Sequence, residues 1–257
     1  MTKNLLEAKD FSPSYADLTD DRETNGPLLS LSLPPQTITA VMGAADVGVS
    51  AWLAGLAGVE DPHTGCVSVL GQDLAYLDKH AWQLMRTKIA YLGKHTRLMS
   101  VLSVLDNIVV PALYHKLDEP KSIFAKAKRL LAEIESFDMS VLHQLPDSID
   151  RHTYGWTLIV RALLLKPKVV ILDNFFRAYT KNDTESMLQF ICSKVERQSM
   201  AALLYHHDLH LLLDHSTASI FIGNDSIIEF QNNNELLQCK NEEVIDFLRK
   251  NDMGPYE

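Results

Sequence analysis

The fold of this chain is decided by the stretch Ala40-Val41-Met42-Gly43-Ala44-Ala45-Asp46-Val47-Gly48-Val49-Ser50-Ala51. An apolar run typical of a strand, residues 37–42, leads into it, and an apolar run that favours a helix, residues 51–56, leads out of it. A strand, a loop and a helix in this order are the context that a phosphate-binding loop of the form G-x-x-x-x-G-K-[ST] requires. The sequence therefore predicts a loop of this geometry between the first buried strand and the first helix.

The loop keeps the spacing of that motif but lacks part of its chemistry. Gly43, Gly48 and Ser50 stand at the positions of the two glycines and the hydroxyl residue. Val49 replaces the lysine that places a positive charge on the terminal phosphates, and Asp46 adds a negative charge to a loop meant to hold an anion. The glycines also have a structural explanation, because a tight turn needs their backbone freedom, and Ser50 also fits an ordinary helix N-cap.

Length and composition describe one large soluble domain and exclude several function classes. The 257 residues are 46% hydrophobic and carry a formal net charge of −9, which argues against general binding to nucleic acid or to an anionic membrane. Cys66, Cys192 and Cys239 are too few and too widely spaced for a disulfide framework or a zinc site, and they favour a reducing cytoplasm. We expect neither a signal peptide nor a membrane span, so any membrane role would come through a partner.

Strand patterns alternate with helical periodicity along the chain. Strands are predicted at 5–11, 28–33, 37–42, 66–70, 88–92, 169–172, 201–205, 219–222 and 226–230, turns at 62–65 and 71–74, an irregular polar segment at 146–154, and helices at 50–56, 80–87, 104–115, 121–138, 155–165, 183–198 and 242–250. Buried strands that alternate with helices imply an α/β fold with a mainly parallel core, and the helices between 104 and 165 would form a helical subdomain.

Several segments, in their order and spacing, resemble the nucleotide-binding domain of ABC transporters. The run RALLLKPKVVILD, residues 161–173, is similar to the segment that joins the family's signature helix to its Walker B strand. His207-Asp208 resembles the switch-histidine motif, and SVLDNI, residues 103–108, resembles the element after the Q-loop. Tyr15 stands where the family keeps an aromatic residue that stacks on adenine, although it also fits a packing role. The resemblance implies an ABC-type P-loop NTPase fold: a RecA-like core, an antiparallel β subdomain and a helical subdomain at about 95–155, all within one domain.

Shorter matches resemble the ATPase subunit of MCE-type phospholipid transporters, the Mla system. They are the run from Val104 to Pro111, Phe176 after the Walker B aspartate, and the tail from Val244 to Leu248 with Gly254-Pro255 beyond it. The resemblance implies that the tail, at about 240–257, contacts a neighbouring subunit.

Carried over residue by residue, the resemblance indicates which groups of the ATP site are missing. Lys94 stands at the Q-loop glutamine, the segment 149–153 at the signature motif, and the segment 177–180 at the D-loop. The Walker B aspartate survives as Asp173, but Asn174 replaces the glutamate that polarises the attacking water. Such groups act together by positioning and charge stabilisation, so we expect negligible hydrolysis and no working catalytic residue.

A few groups of the ATP-site set remain, namely Tyr15, Gly43, Gly48, Ser50, Asp173 and His207. They leave room for weak binding of ATP with magnesium, and we expect no other cofactor. His206, His207, His210 and His215 lie close together in the sequence but lack a carboxylate or cysteine at a spacing typical of metal sites, so no metal centre is predicted.

The favoured interpretation is a non-hydrolysing or weakly active ABC ATPase-like subunit of a membrane phospholipid transport complex, with a structural or regulatory role. It would lie peripherally at the cytoplasmic face of the inner membrane and bind an integral-membrane permease, a second ABC ATPase subunit as a homodimer or heterodimer, and MCE and STAS-type subunits, but no nucleic acid. One alternative is an atypical active ATPase that brings Lys94 or Arg151 to the phosphates. Another is a free-standing interaction protein.

The permease is expected to dock on the segment between Lys94 and Pro111. The resemblance places the coupling helix of the permease there, and a protein that has lost its chemistry can act only through its surfaces. We expect a groove of partly exposed apolar side chains, rimmed by polar residues. Its candidate lining residues are Leu98, Met99, Val101 and Leu102.

Overall fold

The computed structural model describes residues 3–14, 27–44, 47–251 and 253. Its strands are β1 (Leu6–Pro13), β2 (Leu29–Leu33), β3 (Thr37–Gly43), β4 (Pro62–Val69), β5 (Gln72–Asp73), β6 (Ile89–Leu92), β7 (Val169–Asp173), β8 (Ala201–Tyr205), β9 (Ala218–Ile222) and β10 (Ile227–Phe230). Its α-helices are α1 (Val49–Leu56), α2 (Lys79–Met85), α3 (Val104–Tyr114), α4 (Pro120–Ala132), α5 (Arg151–Leu164), α6 (Lys181–Arg197), α7 (Leu209–Asp214), α8 (Asn233–Leu237) and α9 (Glu242–Lys250). Short 3-10 turns lie at Leu74–Tyr76, Met139–His143, Pro146–Ser148 and Phe175–Ala178.

The strands form two sheets of different character. A six-stranded sheet has the order β10-β9-β3-β8-β7-β6, and all its pairings are parallel except β9 with β10. A four-stranded sheet, β2-β1-β4-β5, is antiparallel. The predicted α/β fold, with a mainly parallel core and an antiparallel β subdomain, is confirmed.

Strand β7 separates the two hydrophobic cores of the molecule. Successive strand residues point to opposite faces of a sheet. Accordingly, Val169 and Ile171 pack with α1 and the antiparallel sheet, whereas Val170 and Leu172 pack with the layer that contains α3 to α6. A strand covered on both faces must be apolar throughout, which explains the run VVIL and leaves Asp173 as its polar end.

The predicted turn at 62–65 is wrong, because these residues already belong to β4. Gly65 has a φ of +74°, and a Cβ at this position would lie 2.3 Å from the carbonyl oxygen of Asp10. The pairing of β1 with β4 shifts register between Lys9 and Ser12. The glycine therefore serves a β-bulge inside a strand pair rather than a chain reversal.

Helix α5 begins at Arg151, earlier than the predicted start at Gly155. Asp150 is its N-cap, and its Oδ1 accepts a hydrogen bond of 2.7 Å from the amide of Thr153. Residues 151–154, the last part of the segment predicted to be irregular, are therefore the first turn of the helix. The short helices α7 and α8 were not predicted. Each has a side-chain N-cap, Asp208 and Asn232 respectively.

Helices α3, α4 and α5 pack against one another beside the parallel sheet. Lys194 of α6 lies in this layer with only 4% of its surface exposed, and its Nζ lies 2.5 Å from Oε2 of Glu133, at the end of α4. The ammonium also lies over the ring of Phe190. This ion pair joins the helical layer to α6. Within the described ranges, no helix is long and apolar enough to cross a membrane.

We predict that Glu133→Gln lowers the free energy of unfolding by about 1–3 kcal/mol, because it leaves the buried ammonium of Lys194 without a counter-charge. Urea unfolding measures this change. Glu135→Gln, an exposed site two residues along the chain, is the matched control and should be close to neutral.

Adding Lys194→Met to Glu133→Gln should recover most of the lost stability, since an apolar chain of similar length needs no counter-charge. Equal unfolding free energies for the two glutamine variants would contradict a structural role for the ion pair.

Candidate functional site

The loop after β3 begins the candidate site. Gly48 is the N-cap of α1, with φ +63° and ψ +52°, a left-handed conformation that favours glycine. Ser50 is the second residue of the helix, so the alternative that Ser50 is an ordinary N-cap is wrong. The backbone turn takes place at Gly48, and this leaves the serine hydroxyl available for another contact.

Two valine side chains lie close to Gly43 at the start of the loop. A Cβ at Gly43 would lie 2.8 Å from Cγ2 of Val47, 2.9 Å from Cγ2 of Val49 and 2.8 Å from the carbonyl oxygen of Ile222. Gly43 thus has a packing reason that does not involve phosphate. Val49 is buried and uncharged. Asp46, the expected source of repulsion, lies outside the described residues.

Asp173 is the most connected polar group of the site. Ser50 Oγ donates a hydrogen bond of 2.7 Å to its Oδ1, and Tyr91 Oη donates one of 2.5 Å to its Oδ2. Burial, and next the hydrogen bond to Asp173, raises the pKa of Tyr91 well above its ordinary value, so Tyr91 remains a neutral donor. Both oxygens of this buried carboxylate are therefore satisfied by hydroxyl groups.

Sequence reasoning missed Tyr91. A signal existed, because Tyr91 is a polar aromatic residue in an otherwise apolar strand. Strand β6 pairs in parallel with β7, and Tyr91 lies opposite Ile171. Parallel pairing brings the ends of both strands to one edge of the sheet, which places the phenol within reach of Asp173.

Asn174 follows Asp173 in a left-handed conformation, with φ +50°. Its amide nitrogen donates a hydrogen bond of 2.9 Å to the carbonyl oxygen of Tyr205. Its side-chain Oδ1 is buried and has no hydrogen-bond partner among the described residues. A neutral amide cannot take a proton from water near neutral pH, so Asn174 cannot act as a general base.

The two histidines after β8 differ in their surroundings. His206 is buried, and its Nδ1 accepts a hydrogen bond of 3.0 Å from the amide of Asp208. Burial, with a smaller contribution from His207, lowers the pKa of His206 to about 4. His207, the candidate switch histidine, is exposed and its ring packs against that of His206. Across the described part of the chain, no group of three His, Cys, Asp or Glu side chains is arranged to hold a metal ion.

An open cleft of about 760 Å³ lies beside the loop. Ser50, Lys94, Asp173 and Asn174 line it, whereas Val49 and His207 do not. The start of α5, including Arg151, also lines it. The cleft therefore brings together one part of the predicted relic site. Tyr15, the candidate adenine-stacking residue, lies outside the described residues.

The candidate docking residues differ in exposure. Met99 and Val101 are 57% and 83% exposed, and Leu102 is half-buried. The expectation that Leu98 is partly exposed is wrong, because it is only 8% exposed and belongs to the core around α3 and α5. The hydroxyl of Tyr154 accepts a hydrogen bond of 2.8 Å from the amide of Leu98 and holds it there.

The loop that carries Met99 and Val101 is fixed from below by one buried side chain. Asn107 of α3 accepts a hydrogen bond of 2.7 Å from the amide of Met99. It also donates hydrogen bonds of 3.0 Å to the carbonyl oxygens of Met99, Leu102 and Ser103. The exposed side chains of Met99 and Val101 therefore sit on an ordered backbone, which lowers the entropy cost of docking.

Residues 28–177 match the family described as ABC transporter. The chain is 22% identical over 258 residues to the intermembrane phospholipid transport system ATP-binding protein MlaF of Haemophilus influenzae, covering 99% of this chain and 94% of that protein. It is 27% identical over 215 residues to the lipoprotein-releasing system ATP-binding protein LolD of Neorickettsia sennetsu, covering 81% and 90%.

The chain is also 26% identical over 181 residues to the methionine import ATP-binding protein MetN of Latilactobacillus sakei, covering 70% of this chain and 52% of that protein, so it spans about half the length of this relative. Among solved structures, it resembles the ATP-binding cassette MJ0796 in a dimeric post-hydrolysis state bound to ADP and Pi, with a TM-score of 0.76, 17% identity and coverage of 88% and 98%. It also resembles CbiO1 of Clostridium perfringens, with a TM-score of 0.75, 15% identity and coverage of 96% and 95%. The predicted ABC-type fold is thereby confirmed, while the similarity to MlaF is one among several.

We predict that Val49→Lys strengthens the binding of ATP by about tenfold or more, because it returns a positive charge to the loop. Val49 is buried, so thermal unfolding is measured first to establish that the variant is folded. Calorimetric titration measures the affinity. Val59→Lys is the control for charge. Val59 is 60% exposed, so this substitution adds the same positive charge outside the loop. If both variants bind ATP equally, the loop has no residual phosphate-binding geometry.

Proposed function

The chain belongs to the ABC transporter family, and on that premise we propose that it is a non-hydrolysing ATPase-like subunit of a membrane lipid transporter. The observation that carries the proposal is the site around Asp173: the carboxylate is paired with Ser50 and Tyr91, while Val49 and Asn174 stand where the resemblance expects the lysine and the glutamate. The chain keeps the fold of the family, while Val49 supplies no positive charge and Asn174 supplies no carboxylate at these two positions.

Energetics supports a loss of turnover. Removing one electrostatic contact to a transition state typically costs about 3 kcal/mol, more than a hundredfold in rate. Here Val49 provides no positive charge, Asn174 provides no base, and the signature position starts a helix with Asp150 and Arg151 instead of small residues. Such groups act as a unit, so the loss of several leaves negligible catalysis.

The lipid substrate is supported by two relatives that the chain spans almost entirely. MlaF is named for phospholipid transport and LolD for lipoprotein release, and the chain covers 94% and 90% of their lengths. MetN is named for methionine import, and the chain covers about half of it. We therefore favour a phospholipid complex of the MCE type at the cytoplasmic face of the inner membrane, in which the role of this subunit is structural or regulatory.

The proposed partners are a permease, a second ABC ATPase subunit in a homodimer or heterodimer, and MCE and STAS-type subunits. Met99 and Val101 would meet the permease at the start of the helical subdomain, whose proposed bounds are about 95–155. The tail at about 240–257 would meet a neighbouring subunit. Within it, α9 packs Val244 and Leu248 into the core, and Gly254-Pro255 lies outside the described residues.

A second candidate function is an atypical active ATPase. The observation that favours it is that Lys94 and Arg151 line the same cleft as Asp173 and Ser50. Positive charge from these side chains could take the place of the loop lysine, but protonated lysine and arginine accept no proton, so another group would have to polarise the attacking water. A free-standing interaction protein is the remaining alternative, and the docking experiment below separates it from a transporter subunit.

We predict no ATP hydrolysis above background by the purified chain with magnesium, because neither Val49 nor Asn174 can do the work of the group it replaces. Phosphate release measures the turnover. Magnesium-dependent turnover that disappears in Asp173→Asn, with folding unchanged, would instead establish the atypical ATPase.

We predict that Val101→Asp abolishes co-purification with a multi-spanning permease and leaves the free energy of unfolding within about 0.5 kcal/mol, because the side chain is exposed. Met99→Asp should behave in the same way. Val59→Asp, an exposed valine outside this surface, is the matched control and should still co-purify. Leu98→Asp is unsuitable, since it would place a charge in the core.

Two results would contradict the docking proposal. One is that Val101→Asp and Met99→Asp still co-purify with the permease. The other is that the wild-type chain brings down no permease from its native membrane, in which case a free-standing interaction protein becomes the better explanation.

A further inference from the structure

A serine, a histidine and an aspartate from three separate segments form a hydrogen-bonded chain in the helical layer. Ser136 lies in the loop that follows α4, His152 in the first turn of α5 and Asp183 in the first turn of α6. Nε2 of His152 lies 3.0 Å from Oγ of Ser136, and its Nδ1 lies 2.7 Å from Oδ1 of Asp183. A hydroxyl, an imidazole and a carboxylate joined in this order are the arrangement that activates a serine as a nucleophile.

The indole of Trp156 decides which nitrogen of His152 carries the proton. Its Nε1 donates a hydrogen bond of 3.1 Å to Nε2 of His152, and an indole N–H can only donate. Nε2 is therefore the unprotonated acceptor, and Nδ1–H donates to Asp183. Trp156 is only 2% exposed, so its ring is fixed by the core one helical turn beyond His152. The imidazole is thus held in the tautomer that a general base for Ser136 requires.

Asp183 is held in place from its other side by Thr180. Its Oδ2 accepts a hydrogen bond of 2.7 Å from Oγ1 of Thr180, and its own amide donates one of 3.2 Å to the same hydroxyl. The hydrogen bond from Thr180, and after it the contact with His152, lowers the pKa of Asp183. The carboxylate therefore stays ionised at neutral pH. It can orient the imidazole and stabilise the imidazolium that forms when Nε2 takes a proton.

Ser136 is accessible, whereas the groups behind it are mostly covered. Ser136 is exposed, and the side chains of His152 and Asp183 are 25% and 24% exposed. An acyl donor can therefore reach the hydroxyl from solvent. The nearby exposed Ser140 differs, because its Oγ donates a hydrogen bond of 2.7 Å to Oδ2 of Asp138. A carboxylate is a weaker base than a neutral imidazole, so Ser140 is the natural comparison for Ser136.

We propose that Ser136 is a nucleophile that accepts an acyl group from small activated esters, with His152 as its general base and Asp183 as the positioning residue. Oγ of Ser136 attacks the carbonyl carbon and forms a new C–O bond, while its proton passes to Nε2 of His152. The C–O bond to the leaving group then breaks, and the proton on Nε2 passes to the departing alkoxide. The products are an acylated serine, a free alcohol and the neutral imidazole.

Two features of the site define the acyl donor. Trp156 gives up its hydrogen bond while Nε2 holds the proton, which adds to the cost of the transfer. An exposed serine also does not enclose its substrate, so the ester must bring a good leaving group of its own. The proposed substrates are therefore aryl esters and similar activated acyl compounds. This activity goes beyond the proposed transporter role and does not depend on it.

The first test is labelling of the full chain with a fluorophosphonate probe, followed by peptide mapping. Attack by Ser136 forms an Oγ–P bond and displaces fluoride, so the label stays on the serine that reacted. We expect the label on Ser136, its loss in Ser136→Ala and unchanged labelling in Ser140→Ala, the matched control. Both serines are exposed, so both variants should fold.

The second test measures acyl transfer from p-nitrophenyl acetate through the release of p-nitrophenol. The rate that remains in Ser136→Ala is the background and is subtracted. His152→Gln should lower the remaining rate by about a hundredfold or more, because it removes the general base. Asp183→Asn should lower the rate and also move the proton of His152 from Nδ1 to Nε2, which NMR of nitrogen-labelled histidine detects. Thermal unfolding establishes that each variant is folded.

Three results would overturn the proposal. The first is that the probe leaves Ser136 unlabelled in the wild-type chain. The second is that Ser140→Ala loses as much label as Ser136→Ala does. The third is that a folded His152→Gln variant transfers the acyl group at the wild-type rate. None of these results bears on ATP turnover or on co-purification with a permease, so this proposal and the proposed function fail separately.

Discussion

The Asp173 carboxylate is the interaction on which the site depends. It lies at the end of the central strand β7 and joins that strand to α1 through Ser50 and to β6 through Tyr91. A buried carboxylate must be satisfied by donors, and here both donors are neutral hydroxyls fixed by separate elements. The same contacts join the first turn of α1 and strand β6 to the cleft that Asp173 lines.

Three of the residues that the resemblance assigns to an ABC-type ATP site also have a structural role. Gly43 has no room for a side chain, Gly48 needs a left-handed conformation, and Ser50 is a partner of Asp173. By contrast, the lysine and glutamate positions, whose work is with phosphate and water, hold Val49 and Asn174. This division is what we expect of a fold that is maintained for its surfaces, and it supports the proposed role of a non-hydrolysing subunit.

Much of the fold could be predicted from sequence because it depends on local patterns. The buried strand before Asp173 and the helix at 242–250 need only apolar periodicity and capping residues. The predictions that are wrong concern residues whose structure depends on contacts with segments distant in sequence. Gly65 looks like a turn until β1 pairs beside it, and Leu98 looks exposed until Tyr154 holds its backbone. The cleft beside Asp173 combines segments that are distant in sequence, residues 93–97, 149–151 and 173–179, so local patterns alone could not predict its lining.

The central claim is that this subunit does not itself turn over ATP within its transporter. The most direct measurement is vanadate trapping of a photoreactive ATP analogue in the complex purified with its natural partners, followed by identification of the labelled chain. Vanadate retains ADP only where hydrolysis has taken place. We expect the trapped label on a partner ATPase chain or on none, and no trapped label on this one. Magnesium-dependent, vanadate-dependent labelling of this chain would contradict the claim.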